Sequence, residues 1–318
     1  MASQISNTFR KVFPTVSKET LQWFPGHMGK GLKQMQEKLK LIDCVIEVHD
    51  ARIPISGRNM NFKNTLSGIK PHILVLNKRD LIDKKLENKI SDVYQQQHQI
   101  RNVVFTNCKN QKCTGIRKII PLAQELISNS YRFNRSEDRD FCIMIIGVPN
   151  VGKSSLVNIL RNRHLHKSGV SHVGAAPGIT RSVLNKIKIS QDPLIYLVDT
   201  PGILTPSVAN IETGLKLALC ACLQDHLVGP DVIADYLLFW MNRENNFNYV
   251  KYLDLNSPTD TITEVLSTIA VKLNKVKKIK NYNGDYVLKP DFEEAALHFI
   301  RAFRNGELGK LCLDKDIL

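Results

Sequence analysis

The chain has 318 residues, of which 43% are hydrophobic and 23% charged, so a wholly disordered protein is excluded. The length favours one α/β domain of ordinary size plus a smaller second domain, and no apolar stretch reaches the roughly 18 to 20 residues that cross a bilayer. The formal charge of +14, from 44 basic and 30 acidic residues, favours a polyanionic partner, either RNA or an anionic lipid surface.

The first eighteen residues carry three basic and several hydroxyl side chains and no acidic one. This composition is similar to that of a mitochondrial transit segment, and apolar residues at helical spacing as far as Pro14 would give it one apolar face. We therefore predict a transit segment over residues 1–20. A disordered basic tail is the alternative interpretation.

Alternating apolar runs and helical patterns between Trp23 and about Leu204 predict β–α units around a mostly parallel sheet, with helices on both faces. We place this α/β domain at 21–208. The polar segment 131–140 is predicted to connect its two halves. After the α/β domain the strand signals stop and helical spacing takes over, which predicts a mainly helical domain at 209–318. Six strands are predicted, at 44–48, 72–76, 102–106, 141–147, 184–189 and 194–199.

Two motifs follow strands in the first half of the α/β domain. Asn77-Lys78-Arg79-Asp80 comes directly after the second strand, where the Asp80 carboxylate can accept both N–H protons of guanine and Lys78 can lie along the ring. Adenine does not offer that pair of donors. The third strand ends in Asn107-Cys108-Lys109, a weaker variant of the Ser-Ala-Lys loop whose backbone N–H contacts the guanine oxygen. For either motif alone, a charged turn is the alternative.

The strongest motif is GVPNVGKS, from Gly147 to Ser154, which matches the phosphate-loop pattern G-x-x-x-x-G-K-S/T between an apolar strand and a helix. Its glycines let backbone N–H groups curl around phosphates, Lys153 neutralises the β and γ oxygens, and Ser154 reaches Mg²⁺. Within and after this loop we predict six nucleotide-binding residues: Asn150, Val151, Gly152, Lys153, Ser154 and Ser155.

Two further segments are predicted to complete a site for Mg²⁺ and the γ-phosphate. Asp199 opens Asp-Thr-Pro-Gly at the end of an apolar strand, where a phosphate-loop enzyme keeps its second metal carboxylate, and the Gly202 N–H is predicted to contact the γ-phosphate. Thr180 lies in a loop without hydrophobic period and is predicted to bind Mg²⁺. A simple turn is the alternative for the Asp199 segment.

The seven cysteines form no C-x-x-C pair, which favours a reducing compartment. Cys220 and Cys222 lie in an apolar helical stretch without a nearby His. We therefore predict that they pack in a core and do not bind zinc.

The guanine motifs precede the phosphate loop, whereas ordinary GTPases have the reverse order. Together with Trp23-Phe-Pro-Gly-His27-Met, Asp50-Ala-Arg52-Ile-Pro54 and Asp199-Thr-Pro-Gly-Ile-Leu204, this order resembles the circularly permuted GTPases. Among them the chain is similar, over nearly its whole length, to the bacterial ribosome-assembly GTPases of the YlqF/RbgA family and their mitochondrial counterparts. The resemblance implies a circularly permuted P-loop G domain that hydrolyses GTP to GDP and phosphate with Mg²⁺. It also implies assembly of the large ribosomal subunit in the mitochondrial matrix, by a protein that is monomeric off the ribosome.

The resemblance implies further roles. Ile203 stands where Ras-like enzymes keep the Gln that positions water, so slow intrinsic hydrolysis is expected. His27 is implied to position the water once a ribosomal particle is bound, and Asn150 to bind K⁺. Contact with ribosomal RNA is assigned to lysines in two segments expected to be helical, for which a solvated helix face is the alternative. These lysines are Lys30, Lys33, Lys275, Lys277 and Lys278.

Two alternative functions stay open. The chain could be a GTP-regulated RNA-binding checkpoint module whose hydrolysis is incidental. Its basic patches could also hold it peripherally on the matrix side of the inner membrane, through anionic lipid.

Overall fold

The structure is a computed structural model that divides into two compact units. The sheet unit comprises Phe24–Leu223 and Cys312–Leu318, and the helical unit comprises Met1–Trp23 and Gln224–Leu311. The structure describes residues 9–14, 39, 41–58, 70–132, 135–165, 186–191, 193–199, 208, 210–280 and 286–318.

The sheet unit is built on a six-stranded sheet with strand order β3-β2-β1-β4-β6-β5. All neighbouring strands are parallel except β5, which is antiparallel to β6. Every residue of β1 is buried, as expected for a parallel strand that is covered on both faces. The α/β fold and the six predicted strands are confirmed, with ends that differ by one or two residues. The strands are β1 (Cys44–Asp50), β2 (His72–Asn77), β3 (Val103–Phe105), β4 (Phe141–Ile146), β5 (Lys186–Gln191) and β6 (Leu194–Asp199).

The described helices of the sheet unit follow their strands at amphipathic spacing. In α2, for example, the buried side chains recur every three or four residues, which lets one face pack on the sheet. No helix in the described part of the chain is both long and apolar enough to cross a membrane. The helices of this unit are α1 (Lys85–His98), α2 (Thr114–Ser128), α3 (Lys153–Leu165) and α4 (Ile211–Leu219).

The polar connection at 131–140 is held at the start of the sheet by a buried carboxylate. Asp43 is 2% exposed and accepts hydrogen bonds from Arg132 and Arg135, both within the connection. It also accepts one from the backbone N–H of Cys142 in β4. The described residues of this segment are therefore held against the sheet by paired charges.

The chain's last seven residues belong to the sheet unit. Asp314 is fully buried and accepts hydrogen bonds from the backbone N–H groups of Ile55 and Ser56 and from the Ser56 hydroxyl, at 2.6 to 2.8 Å. The ammonium of Lys216 in α4 lies 3.3 Å from the same carboxylate. The boundary between the units therefore falls at Leu223/Gln224, and not at the predicted 208/209, because α4 and the C-terminal residues share these buried contacts.

The helical unit contains a two-stranded hairpin that the sequence analysis did not predict. Residues 271–280 were expected to be helical, and this is wrong for 276–280: α7 ends at Lys272, and Asn274 adopts a left-handed conformation (φ 50°) that helices do not continue. Val276 and Ile279, both β-branched, then fit a strand. The elements are α5 (Pro230–Arg243), α6 (Asn248–Leu253), α7 (Ile262–Lys272), β7 (Val276–Lys280), β8 (Tyr286–Pro290) and α8 (Phe292–Asn305).

Residues 9–14 pack inside the helical unit. The Arg10 guanidinium donates two hydrogen bonds to the Asp235 carboxylate, at 2.7 and 2.9 Å, and one to the Asp260 carboxylate at 3.0 Å. Phe9 lies 5.6 Å from Phe247 between ring centroids, and the Phe13 ring packs edge-on against a tyrosine of α5. This part of the predicted transit segment is therefore part of a folded domain.

Candidate nucleotide-binding site

The predicted phosphate loop lies between β4 and α3 and has a backbone that requires its glycines. Gly147 has φ +150° and Gly152 has φ +101°. A Cβ atom would lie 2.2 Å from the Val48 carbonyl oxygen at the first position and 2.3 Å from the Asn77 amide nitrogen at the second. Between them, Asn150 is left-handed with φ 58°, which asparagine tolerates better than most residues. The sequence therefore specifies a tight loop whose backbone glycine adopts without strain at both positions.

Lys153 is the first residue of α3, and its ammonium folds back over the loop. Its Nζ donates to the Val148 carbonyl oxygen at 2.9 Å, and the residue is 8% exposed. Ser154 and Ser155, both half-buried, follow in the first turn, where backbone N–H groups have no intrahelical acceptor. A helix N-terminus with an adjacent buried ammonium favours an anion. The loop can thus hold phosphate groups as predicted.

Asn77 links the guanine motifs to the phosphate loop. Its amide nitrogen donates to the Val151 carbonyl oxygen at 2.8 Å. Its amide oxygen accepts from the Thr106 hydroxyl and from the Cys108 backbone N–H, each at 3.1 Å. Asn77 is 3% exposed, so these bonds form away from water. Sequence reasoning placed Asn77 in the guanine motif but missed Thr106 and the role of Asn77 in positioning three loops together.

Lys78 is held by the carboxylate of Asp50, the first residue of the Asp50-Ala-Arg52-Ile-Pro54 motif. The Lys78 ammonium lies 2.8 Å from the Asp50 carboxylate, which also forms two side-chain bonds with Arg52. Burial by itself would raise the pKa of Asp50, but the charges of Arg52 and Lys78 hold it well below its usual range. The carboxylate therefore stays ionised and fixes the stem of Lys78 beside the site.

Asp80 and Lys109 are exposed at the same edge, after β2 and β3. The Arg79 backbone N–H donates to the Thr106 carbonyl oxygen at 3.0 Å and so ties the two turns together. The Asn107 side chain accepts from the Lys109 backbone N–H at 2.8 Å, which shapes the second turn. Both predicted guanine motifs thus converge on the phosphate loop.

The Mg²⁺ ligands are described in part. The partner of Asp199 across the β4–β6 ladder is Ile145, so Asp199 lies beside the strand that leads into the phosphate loop. A serine hydroxyl and a carboxylate are both oxygen ligands of the kind that Mg²⁺ prefers. Several predicted residues lie outside the described residues, namely His27, Lys30, Lys33, Thr180, Gly202 and Ile203.

Asn150 connects the phosphate loop to the residues after α4. Its amide nitrogen donates to the Ala221 carbonyl oxygen at 2.9 Å. Cys220 and Cys222, on either side of this carbonyl, are fully buried, and burial raises the pKa of Cys222 to about 12. The thiols therefore stay protonated and pack in the core as predicted.

Comparison with known proteins agrees with this geometry. The sequence pattern of the family described as 50S ribosome-binding GTPase matches residues 142–277. The chain is 62% identical to mitochondrial GTPase 1 of Aedes aegypti over 98% of this chain and 99% of that protein. It is 48% identical to mitochondrial ribosome-associated GTPase 1 of Bos taurus over 100% of this chain and 96% of that protein.

Among solved structures, GNP-bound YlqF from T. maritima matches with a TM-score of 0.53 at 23% identity, covering 88% of this chain and 95% of that one. At that identity the likeness concerns the fold. The relatives that match over nearly their whole length, together with the geometry of the motifs, show that the chain belongs to the family of mitochondrial GTPases with the circularly permuted YlqF-like fold. They also show that the chain is a GTP hydrolase.

Proposed function

We propose that this GTPase acts in the assembly of the large ribosomal subunit in the mitochondrial matrix. The GTP-dependent part of this role is supported by the convergence at Asn77, where both guanine motifs meet the phosphate loop. The relatives named ribosome-associated and the +14 charge support a ribosomal RNA partner. Mg²⁺ would be held by Ser154, Thr180 and Asp199, and would neutralise charge on the phosphates when bound.

The bond between Asn150 and Ala221 supports nucleotide control of that partner. Ala221 lies three residues before Gln224, where the helical unit begins along the chain. A conformational change in the phosphate loop would therefore be transmitted through this hydrogen bond to the start of the connection to that unit.

The decisive experiment measures GTP turnover with and without purified mitochondrial large subunits. We expect an increase of about tenfold or more, because Ile203 cannot position water in the free protein. ATP in place of GTP is the control for the guanine motifs. Unchanged turnover, together with support of assembly by a Lys153→Ala variant that binds no GTP, would instead favour the checkpoint module with incidental hydrolysis.

Replacing His27 by Ala is expected to leave GTP binding intact and to lower particle-stimulated turnover about 10²-fold or more, since an imidazole can position or deprotonate water and a methyl group cannot. Single-turnover kinetics with bound particles would measure this. A variant stimulated as strongly as the wild type would refute the assignment.

Exchanging K⁺ for Na⁺ at constant ionic strength is expected to slow hydrolysis by about tenfold, because a K⁺ ion at Asn150 would offset charge on the phosphates as an arginine does in other GTPases. GDP affinity in the same two salts is the control. Equal hydrolysis rates in both salts would remove the K⁺ assignment.

A further inference from the structure

The β7–β8 hairpin has two chemically different faces. In an antiparallel pair, residues directly opposite each other lie on the same face. The register pairs Val276 with Pro290 and Lys278 with Leu288, and Tyr286 lies two residues before Leu288. We call the face formed by these five residues the outer face. The other face, the inner face, carries Lys277, Val287 and Lys289.

The inner face is turned toward the rest of the helical unit. Val287 is half-buried there. The Lys277 ammonium lies 2.9 Å from the Asp291 carboxylate and 3.2 Å from that of Glu293, both at the start of α8. The charge of Lys277 is therefore largely offset within the domain, although the sequence analysis had grouped it with Lys278.

The outer face combines exposed apolar side chains with an exposed cation. Val276 is 49% exposed, Leu288 60% and Tyr286 71%. Lys278 is exposed, and within the described part of the chain no carboxylate pairs with it. Exposed apolar side chains grouped on one surface of a soluble domain commonly mark an interaction site. Lys275, exposed just before the strand, adds positive charge at the same end.

We propose that the outer face of the hairpin binds a single-stranded segment of RNA, with Tyr286 stacking on a base and Lys278 facing the phosphate backbone. An exposed aromatic ring beside cations is the combination that unpaired RNA selects, because every base has a flat apolar face and every linkage a negative charge. Because no described carboxylate pairs with Lys278, a basic protein segment would meet an uncompensated like charge there and is a poorer match. The inference rests on the proposed function in that the RNA belongs to a ribosomal particle.

The test uses the full chain and a fluorescent single-stranded oligoribonucleotide of mixed sequence, with affinity measured by anisotropy at several KCl concentrations. Lys278→Gln is expected to weaken binding about fivefold and to reduce the salt dependence by about one counterion. Lys289→Gln removes the same charge from the inner face and is expected to leave affinity within about twofold of wild type. Tyr286→Ala is expected to weaken binding about fivefold or more, while Tyr286→Phe keeps it.

Equal losses in Lys278→Gln and Lys289→Gln would overturn the proposal, since only net charge would then matter. So would binding to phosphatidylserine vesicles without binding to RNA. Intrinsic GTP turnover off the particle is expected to be unchanged in all four variants. Particle-stimulated GTP turnover of the wild type tests the ribosomal function separately. If particles stimulate the wild type but Lys278→Gln and Lys289→Gln bind RNA equally well, the hairpin site alone is refuted. If particles do not stimulate the wild type but the two lysine variants differ in RNA affinity, the ribosomal partner alone is refuted.

Discussion

Gly152→Ala is expected to lower the affinity for GDP and GTP by about a hundredfold or more. Gly152 has φ +101°, a conformation that alanine rarely adopts, and its Cβ would lie 2.3 Å from the Asn77 amide nitrogen. That nitrogen donates a hydrogen bond to the Val151 carbonyl oxygen. The new methyl group must therefore break this hydrogen bond between the guanine motif and the phosphate loop. When the free loop relaxes to relieve this strain, nucleotide binding must restore its shape. Backbone strain and a lost buried hydrogen bond then cost the binding step about 3 kcal/mol, or a factor of about a hundred.

Equilibrium titration with a fluorescent guanine nucleotide measures this effect, and the chain offers a matched control. Gly309, in the helical unit, has φ +85°, and a Cβ there would lie 2.4 Å from the Asn248 amide nitrogen. Gly309→Ala therefore introduces the same kind of strain away from the nucleotide site. It is expected to lower the melting temperature while leaving nucleotide affinity unchanged. A Gly152→Ala protein with wild-type affinity would contradict the assigned role of the loop.

Removing residues 1–14 is expected to destabilise the helical unit by about 2–4 kcal/mol more than removing residues 1–8, which leaves the contacts of residues 9–14 in place. The longer deletion leaves Asp235 and Asp260 without the Arg10 guanidinium. It also removes Phe9 and Phe13 from their aromatic neighbours. For a unit of this size the loss corresponds to a drop of roughly 10 °C or more in melting temperature, measured by calorimetry.

Point variants refine this test. Arg10→Gln is expected to reproduce much of the loss, whereas Lys11→Gln, at the exposed neighbouring position, is not. We expect the same packing to limit where a presequence could be cleaved. Protein recovered from mitochondria is expected to retain Phe9 and Arg10, so a cleaved presequence would end within residues 1–8. A mature N-terminus beyond Pro14 would show that the packed segment is dispensable.

The six strands and the phosphate loop were predictable because their signals are local. A buried parallel strand needs a continuous apolar run, and a phosphate loop needs glycines at set spacing before a helix. The order of the motifs along the chain shows the permutation for the same reason. The β7–β8 pair was missed because helical spacing in α7 runs up to Lys272, and Val276 and Ile279 lie three residues apart, a spacing that also suits a helix.

What the sequence alone determined about this protein is therefore its chemistry: which residue types meet phosphate, Mg²⁺ and guanine, and in what order. Only the tertiary structure decided how those residues are held and which charges stay available. Asn77 bonds to Thr106 and Val151, which lie 29 and 74 residues away along the chain, Asp50 fixes Lys78, and Asp314 holds the C-terminal residues on the sheet unit. These are contacts between groups distant along the chain, and no spacing rule encodes them, because they depend on where the packed core brings each backbone segment.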